Sequence, residues 1–231
     1  EVSGSKGDIS SIDKESSALG AYIGVTNKYN GYAVTFAFAT DPSLGKMKNG
    51  EPLTSVSLPK YGDLLQGLNK IKDTSSGFKD VDESRDKIMA VLNKLQPLAE
   101  SMDNYYSSKT YLTDNNEKGA EYVKQYLALK DEFDSAYGEF DALLHKHNEE
   151  LLAKKLEALK KDNKPNAVAF LEINHDLSAI IDSIDQKEDS AQIENQLQAV
   201  SDKLTTLNVG NVSEEDVNSI NLYKRQVNSF I

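Results

Sequence analysis

The chain of 231 residues has 26 basic and 37 acidic side chains, which gives a formal net charge of −11. It has no cysteine, so disulfide scaffolds, thiolate metal sites and cysteine nucleophiles are excluded. The only arginines are Arg85 and Arg225, and the lysines alternate with acids, which argues against the clustered basic surface that nucleic acid requires. No apolar run approaches the roughly 20 residues of a membrane-spanning helix.

The first part of the chain predicts a leader and two helices that are separated by a segment rich in helix breakers. The first dozen residues are small and polar, so we predict a flexible leader over 1–12 and a single domain over 13–231. Apolar residues at helical spacing predict a first helix over 14–40. Five glycines and prolines between residues 41 and 59 predict a connection without a helix. A short helix is predicted over 60–72.

The middle of the chain predicts two long helices. The first begins with an N-cap at Asp82, has a kink before Pro97 and ends near residue 107. Turn-forming residues over 108–116 separate it from a very long helix over 117–161. In that helix the buried positions recur at steps of three and four residues: Tyr122, Tyr126, Leu129, Phe133, Tyr137, Phe140, Leu144, His147 and Leu151.

Three further helices are predicted up to the end of the chain. Pro165 suits a first helical turn, Ser190 an N-cap, and Ser213 with Asp216 a capping box. No segment shows the alternation of apolar and polar residues that is typical of strands. We therefore predict an all-α protein, an elongated antiparallel bundle of six or seven helices.

Histidines and paired acids are the side chains that could hold a metal ion or take part in catalysis. Glu172 and His175 have the Glu-x-x-His spacing of di-iron bundles, but the sequence has no second copy of it. His145 and His147 lie about 200° apart on a helix, so they should not share a metal ion, and His147 should be an interior or edge histidine. We expect the paired acids on solvated helix faces: Asp131 with Glu132, Glu149 with Glu150, and Glu214 with Glu215.

Five tyrosines cluster around the turn at 108–116 and the helix ends that it joins. Tyrosine has a large apolar face and a polar tip, so such a cluster could line a groove for a ligand or a partner. Alternatively, the rings close one end of the bundle core, with their hydroxyls in water, and we expect this second arrangement. The five residues are Tyr105, Tyr106, Tyr111, Tyr122 and Tyr126.

The same turn is part of a wider pattern: Tyr106, Lys109, Tyr111, Asp114 and Gly119, the series Phe133, Tyr137 and Phe140, the segment AYIGVTNKYNGY at 21–32, and NLYKRQVNSFI at the end. This pattern resembles the YiiG-like family of bacterial lipoproteins, a domain of unknown function. The resemblance implies a protein on the periplasmic side of a bacterial membrane, held there by a lipid anchor upstream of Glu1. It implies no catalytic residues.

The sequence thus predicts a non-catalytic, lipid-anchored periplasmic helical bundle that binds an envelope protein or a ligand through its helices or the 41–59 connection. One alternative is a metal-dependent bundle enzyme built around Glu172 and His175. Another is a small-molecule-binding protein whose pocket is lined by the Tyr105 to Tyr126 cluster. We assign no catalytic, cofactor-binding or metal-binding residue from the sequence, and we expect no cofactor.

Overall fold

The computed structural model describes residues 3–37, 42–185, 189–207 and 214–230, and every regular element in these ranges is helical. This confirms the predicted all-α class. None of the helices in these ranges has both the length and the apolar character needed to cross a bilayer. The elements are α1 (Ser3–Ala37), α2 (Pro42–Lys48), α3 (Tyr61–Ile71), α4 (Lys79–Ser107), a 3-10 turn (Thr110–Leu112), α5 (Glu117–Lys161), α6 (Pro165–Asp185), α7 (Ser190–Thr206) and α8 (Glu214–Phe230).

The predicted and observed bounds agree best for the helices with the clearest apolar stripes. The helix α5 begins and ends where the sequence predicted, and α3 differs from its prediction by one residue at each end. The helix α1 starts earlier than predicted, because residues 3–12, expected as a flexible leader, form its first turns. Ile9 and Ile12 are half-buried there, so this segment has apolar surface that helps to order it.

The predicted connection at 41–59 contains one helix more than the sequence indicated. Pro42 opens α2, where its missing N–H costs nothing in the first turn. Gly50 follows the helix with a φ of +69°, a conformation that glycine adopts without strain. Met47 and Leu53 are 3% and 2% exposed, so α2 and the stretch that follows it each bury an apolar side chain. With α2, eight α-helices lie in the described ranges rather than six or seven.

The start of α4 corrects the predicted N-cap. The helix begins at Lys79, and Phe78 occupies the cap position without a side-chain hydrogen bond. Asp82, expected as the cap, lies one turn inside the helix. Its carboxylate accepts hydrogen bonds from the Ser75 hydroxyl and the Ser76 N–H, both at 2.9 Å. It therefore fixes the connection that precedes the helix. Pro97 lies within the same helix, which continues to Ser107.

Similar small differences occur at the later helix starts. Asp189, one residue before the predicted Ser190, caps α7 by accepting a hydrogen bond from the Ala191 N–H at 2.7 Å. The predicted capping box before α8 includes Ser213, which lies outside the described residues. The helix α6 begins at Pro165 as predicted.

The chain divides into two compact units. The first unit is Asp13–Leu151, and the second is Leu152–Ile231 together with the start of the chain as far as Ile12. The helices α1 and α5 contribute residues to both. The expectation of one domain over 13–231 stays a prediction.

An aromatic core joins α1, α3 and α5 within the first unit. Phe133 of α5 lies 6.2 Å from Tyr29 of α1 and 5.3 Å from Tyr61 of α3, in each case as an edge-to-face pair of rings. Such pairs add about 0.5–1.5 kcal/mol beyond the burial of their surface. Tyr22, seven residues before Tyr29 in α1, contacts Phe140, which lies seven residues after Phe133 in α5. The two helices are therefore antiparallel in this unit.

The second unit has a separate aliphatic core on α6, α7 and α8. Its polar contacts lie beside that core: Lys203 pairs with Asp176 at 2.5 Å, and the Tyr223 hydroxyl donates to Asn174 at 3.0 Å. The core residues are Ala169, Ile173, Ile180, Val200, Leu204, Leu207 and Val227.

Substitution by alanine should change the free energy of unfolding in opposite directions at two glycines of α5. A Cβ atom on Gly119 would lie 2.1 Å from Asn116 Oδ1 and 2.6 Å from the Tyr106 hydroxyl oxygen, whereas a Cβ on Gly138 would meet nothing within 4 Å. Gly119→Ala should lower the free energy of unfolding by about 1–3 kcal/mol. Gly138→Ala should raise it by about 0.5–1 kcal/mol. Urea unfolding followed by circular dichroism measures both, and equal changes would contradict the crowding at Gly119.

Candidate functional site

The tyrosines at the start of the turn are structural. Tyr105 and Tyr106 are 5% and 3% exposed. The Tyr105 hydroxyl donates to Asp114 at 2.7 Å, and the Tyr106 hydroxyl donates to Asn116 at 3.4 Å. Burial and the hydrogen bond to Asp114 raise the pKa of Tyr105 to about 12. The rings are therefore packed in the core, as expected, but their hydroxyls form hydrogen bonds with residues of the turn.

The backbone of the turn is also tightly constrained. Lys109, Asn115 and Asn116 have φ angles of 58°, 54° and 65°, in the left-handed region that non-glycine residues visit rarely. Asp114 holds this shape by accepting from the Asn116 N–H at 3.0 Å. The fifth tyrosine, Tyr126, is separate from the turn, since its hydroxyl lies 2.9 Å from that of Tyr61 in the aromatic core. The predicted cluster is thus divided between two places.

A buried polar network joins α1 to the start of α4. Arg85 is 7% exposed, and its Nη1 donates to the Tyr22 hydroxyl at 2.6 Å. Tyr22 in turn contacts the Thr74 carbonyl and donates to Asp82 Oδ1 at 2.8 Å. Burial and the bond to Asp82 raise the pKa of Tyr22 to about 12. Against the effect of burial, hydrogen bonds from Ser76 and its neighbours lower the pKa of Asp82.

Sequence reasoning missed this network. A single arginine among acids in the first turns of a helix was the signal that could have indicated it. Arginine is the cation best suited to a buried site with several acceptors. Every charged group of the network is bonded within it, so the network fixes α1, α4 and the connection before α4 to one another.

His147 is an interior histidine, as its place in the apolar stripe predicted. It is 7% exposed, and the ring of Phe78 stacks on it at 3.9 Å. Its Nε2 lies 2.9 Å from both carboxylate oxygens of Asp80, and its Nδ1 lies 3.0 Å from Glu150 Oε2. His145 is exposed, so the two histidines do not share a face. The imidazole bridges α4 and α5, and both of its nitrogens are occupied.

The two residues of the Glu-x-x-His pair of α6 contact different partners. Glu172 lies 3.2 Å from Lys160, and His175 lies 3.6 Å from Asp176. Within the described ranges, no group of three or more histidines and acids is arranged to hold a metal ion. Among the paired acids, those at 131–132 and 149–150 are exposed on α5, whereas the side chains of 214–215 lie outside the described residues.

A groove between α1 and α3 is the candidate functional site. Val25 of α1 packs directly against Gly67 of α3: a Cβ atom on Gly67 would lie 2.8 Å from Cγ1 of Val25, so a side chain at 67 would force one of them to shift. Beside this contact lies an open groove with a volume of about 210 Å³. Its lining residues are Gly24, Val25, Lys28 and Tyr29 from α1, and Asp63, Leu64, Gln66, Gly67, Lys70 and Ile71 from α3.

The groove combines apolar walls with charged side chains that have no ion-pair partner. Lys28, Lys70 and Asp63 are exposed, and none of their charged side-chain groups forms an ion pair or hydrogen bond with a described residue. Two lysines against one aspartate make the lining positive in a chain of net charge −11. A Cβ atom on Gly24 would meet nothing within 4 Å, so the space that a side chain would occupy at this position is empty.

Sequence reasoning missed the groove as well. It treated Gly24 as a residue that weakens a helix, whereas Gly24 and Gly67 together allow the close approach and the open space that form the site. None of the Tyr105 to Tyr126 cluster lines this groove, so it is not the pocket that the sequence offered as an alternative.

Comparison with known proteins gives a family but no activity. A family described as a protein of unknown function, DUF3829, matches residues 19–227. The matched range includes the groove, the polar network and the tyrosine turn. None of the curated proteins and none of the solved structures compared with the chain matches it.

The contact between Asp80 and His147 predicts a dependence of stability on pH. The hydrogen bond from His147 lowers the pKa of Asp80, against the effect of burial. Such a carboxylate stabilises the fold above its unfolded pKa of about 3.9, and this stabilisation is lost as the pH falls through its folded pKa. Asp80→Asn should therefore lower Tm by about 2–4 °C at neutral pH. The difference from the unsubstituted protein should vanish near pH 2.

Asp131→Asn is the matched control. It removes the same charge from an exposed position of α5 that forms no ion pair with a described residue. Thermal unfolding of both variants between acid and neutral pH checks the prediction. Identical pH profiles for the two variants would show that the bond to His147 does not stabilise the fold.

Proposed function

The chain belongs to the DUF3829 family of unknown function, and we propose that it is a non-catalytic, lipid-anchored binding protein of the bacterial periplasm whose ligand lies in the α1–α3 groove. One observation carries the proposal. The groove places Lys28 and Lys70, without ion-pair partners among the described residues, beside the apolar side chains of Val25 and Leu64. Concave sites with apolar walls and a few polar groups are typical of ligand binding.

The engagement of the other polar groups supports binding rather than catalysis. A general acid or base needs a side chain that reaches the substrate with a proton or a lone pair available. The buried candidates are already hydrogen-bonded: His147 contacts Asp80 and Glu150, and Tyr22 donates to Asp82. The groove offers exposed lysines rather than the desolvated, closely partnered groups that catalytic sites use.

The compartment is proposed from the sequence. The turn from Tyr106 to Gly119 resembles the corresponding part of periplasmic lipoproteins, which are held to a membrane by a lipid on a cysteine. The lack of any membrane-crossing helix in the described ranges is compatible with that form of attachment.

Photo-crosslinking in living cells tests the binding function. A photoreactive residue at Gln66, which is exposed in the groove, should form one discrete adduct in the native envelope. The same residue at Gln125, which is exposed on α5 and does not line the groove, should not form that adduct. The same products at both positions would contradict the groove as the binding site, as would no product at either.

Two further measurements test the remaining parts of the proposal. Metabolic labelling with a tagged fatty acid should label the native protein, and an unlabelled protein would remove the lipid anchor from the proposal. Metal analysis after purification without chelator tests the non-catalytic part. Stoichiometric iron, manganese or zinc would favour the metal-dependent enzyme around Glu172 and His175 instead.

A further inference from the structure

We infer that the groove binds a small amphipathic anion, with its carboxylate or phosphate group at Lys70 and its short apolar chain along Val25 and Leu64. This inference rests on the proposed binding function and adds to it the chemical class of the ligand. It follows from the direction of the two helices, the charges at each end of the groove and the length of its apolar wall.

The helices α1 and α3 run antiparallel. Tyr22 contacts the carbonyl of Thr74, after the end of α3, and Val25 meets Gly67 in its middle. Tyr29, further along α1, meets Phe133, as does Tyr61 at the start of α3. Positions that follow one another in α1 therefore face positions that precede one another in α3.

This direction separates the charges of the groove into two ends. Lys28 lies towards the end that contains Asp63, so the Asp63 carboxylate partly cancels the positive charge of Lys28. Lys70 lies towards the end that contains Gly24, and no acid lines the groove there. The Lys70 end is therefore the favourable place for an anion, because hydrogen bonds to charged groups contribute about 1.5–3 kcal/mol.

The open space and the apolar wall lie next to that cation. Nothing lies within 4 Å of a Cβ atom on Gly24, so an anionic group has room beside Lys70. Val25 and Leu64 continue from there towards Tyr29, which is 9% exposed and lies towards the other end. Burial of an apolar chain against such a wall contributes about 25 cal/mol for each Å² removed from water.

The length of the groove favours a free small molecule over a lipid in a bilayer. Lys70 and Asp63 are seven positions apart on α3, which corresponds to about 10 Å along a helix. One leaflet of a bilayer has a hydrocarbon layer of about 15 Å, half of the full thickness. An acyl chain of membrane length would extend past the groove, whereas an octyl chain fits within it.

Calorimetric titration of the whole chain with four octyl compounds tests the class of ligand. Octanoate and octyl phosphate should bind with one-to-one stoichiometry, about tenfold more tightly than octanol and octylammonium. Lys70→Gln should remove this preference. Asp63→Asn should strengthen the binding of octanoate about threefold, because it removes the opposing charge. Equal binding of all four compounds would mean non-specific association with an amphiphile and would overturn the inference.

Two leucine substitutions on α1 locate the site. Gly24→Leu should abolish the binding of octanoate, because the side chain occupies the open space. Gly20→Leu is the matched control, since Gly20 is equally uncrowded and does not line the groove, and it should leave the affinity unchanged. If Gly20→Leu also loses binding while circular dichroism is unchanged, the loss is not specific to the groove, and the inference is contradicted.

The titration with octyl compounds can fail without the photo-crosslinking test of the binding function failing. If octanoate and octyl phosphate fail to bind while the photoreactive residue at Gln66 still forms its adduct, the groove binds another class of ligand and only the present inference fails. If vesicles of anionic phospholipid bind and the octyl compounds do not, the ligand is a membrane surface, which also overturns it.

Discussion

The first unit depends on the packing of aromatic rings around Phe133. This side chain is 4% exposed and meets Tyr29 of α1, Tyr61 of α3 and Tyr137 of its own helix. Three helices far apart in the sequence are fixed to one another through one ring. The edge-to-face geometry sets how α1 and α3 lie against α5, and with it the distance between α1 and α3. The groove exists because that distance is short at Val25 and the surface is open at Gly24.

Buried polar groups hold the rest of the first unit in place. Arg85 with Tyr22 and Asp82 fixes α1 to α4, while His147 with Asp80 fixes α5 to α4. A buried group of this kind costs free energy unless it is hydrogen-bonded, and here each charge has its partners. Titratable residues that look reactive in the sequence are therefore structural contacts. The charged groups of the groove, by contrast, lie on the exposed surface and have no ion-pair partner among the described residues.

The sequence predicted those elements whose packing repeats along one face. Apolar residues at steps of three and four gave α3 and α5 nearly to the residue. Their helical period depends only on local geometry and on the need to bury one stripe. Short segments were harder to predict, because the burial of Met47 in α2 and of Ile12 in the first turns of α1 depends on tertiary packing. The cap of α4 lies four residues before the predicted Asp82, which bonds to the preceding connection instead, and the cap of α7 lies one residue before the predicted Ser190.

The sequence by itself determined that the protein is all-α, that it has no cysteine, and, to within one residue, where α3 and α5 begin and end. Only the tertiary structure decided which side chains are free. The sequence around a histidine, a tyrosine or a lysine does not reveal whether its polar atoms are hydrogen-bonded or exposed to solvent. That difference depends on contacts such as His147 with Asp80 and Val25 with Gly67, which join residues far apart in the chain. The groove formed by two glycines on separate helices is therefore a property of their packing, not of either helix alone.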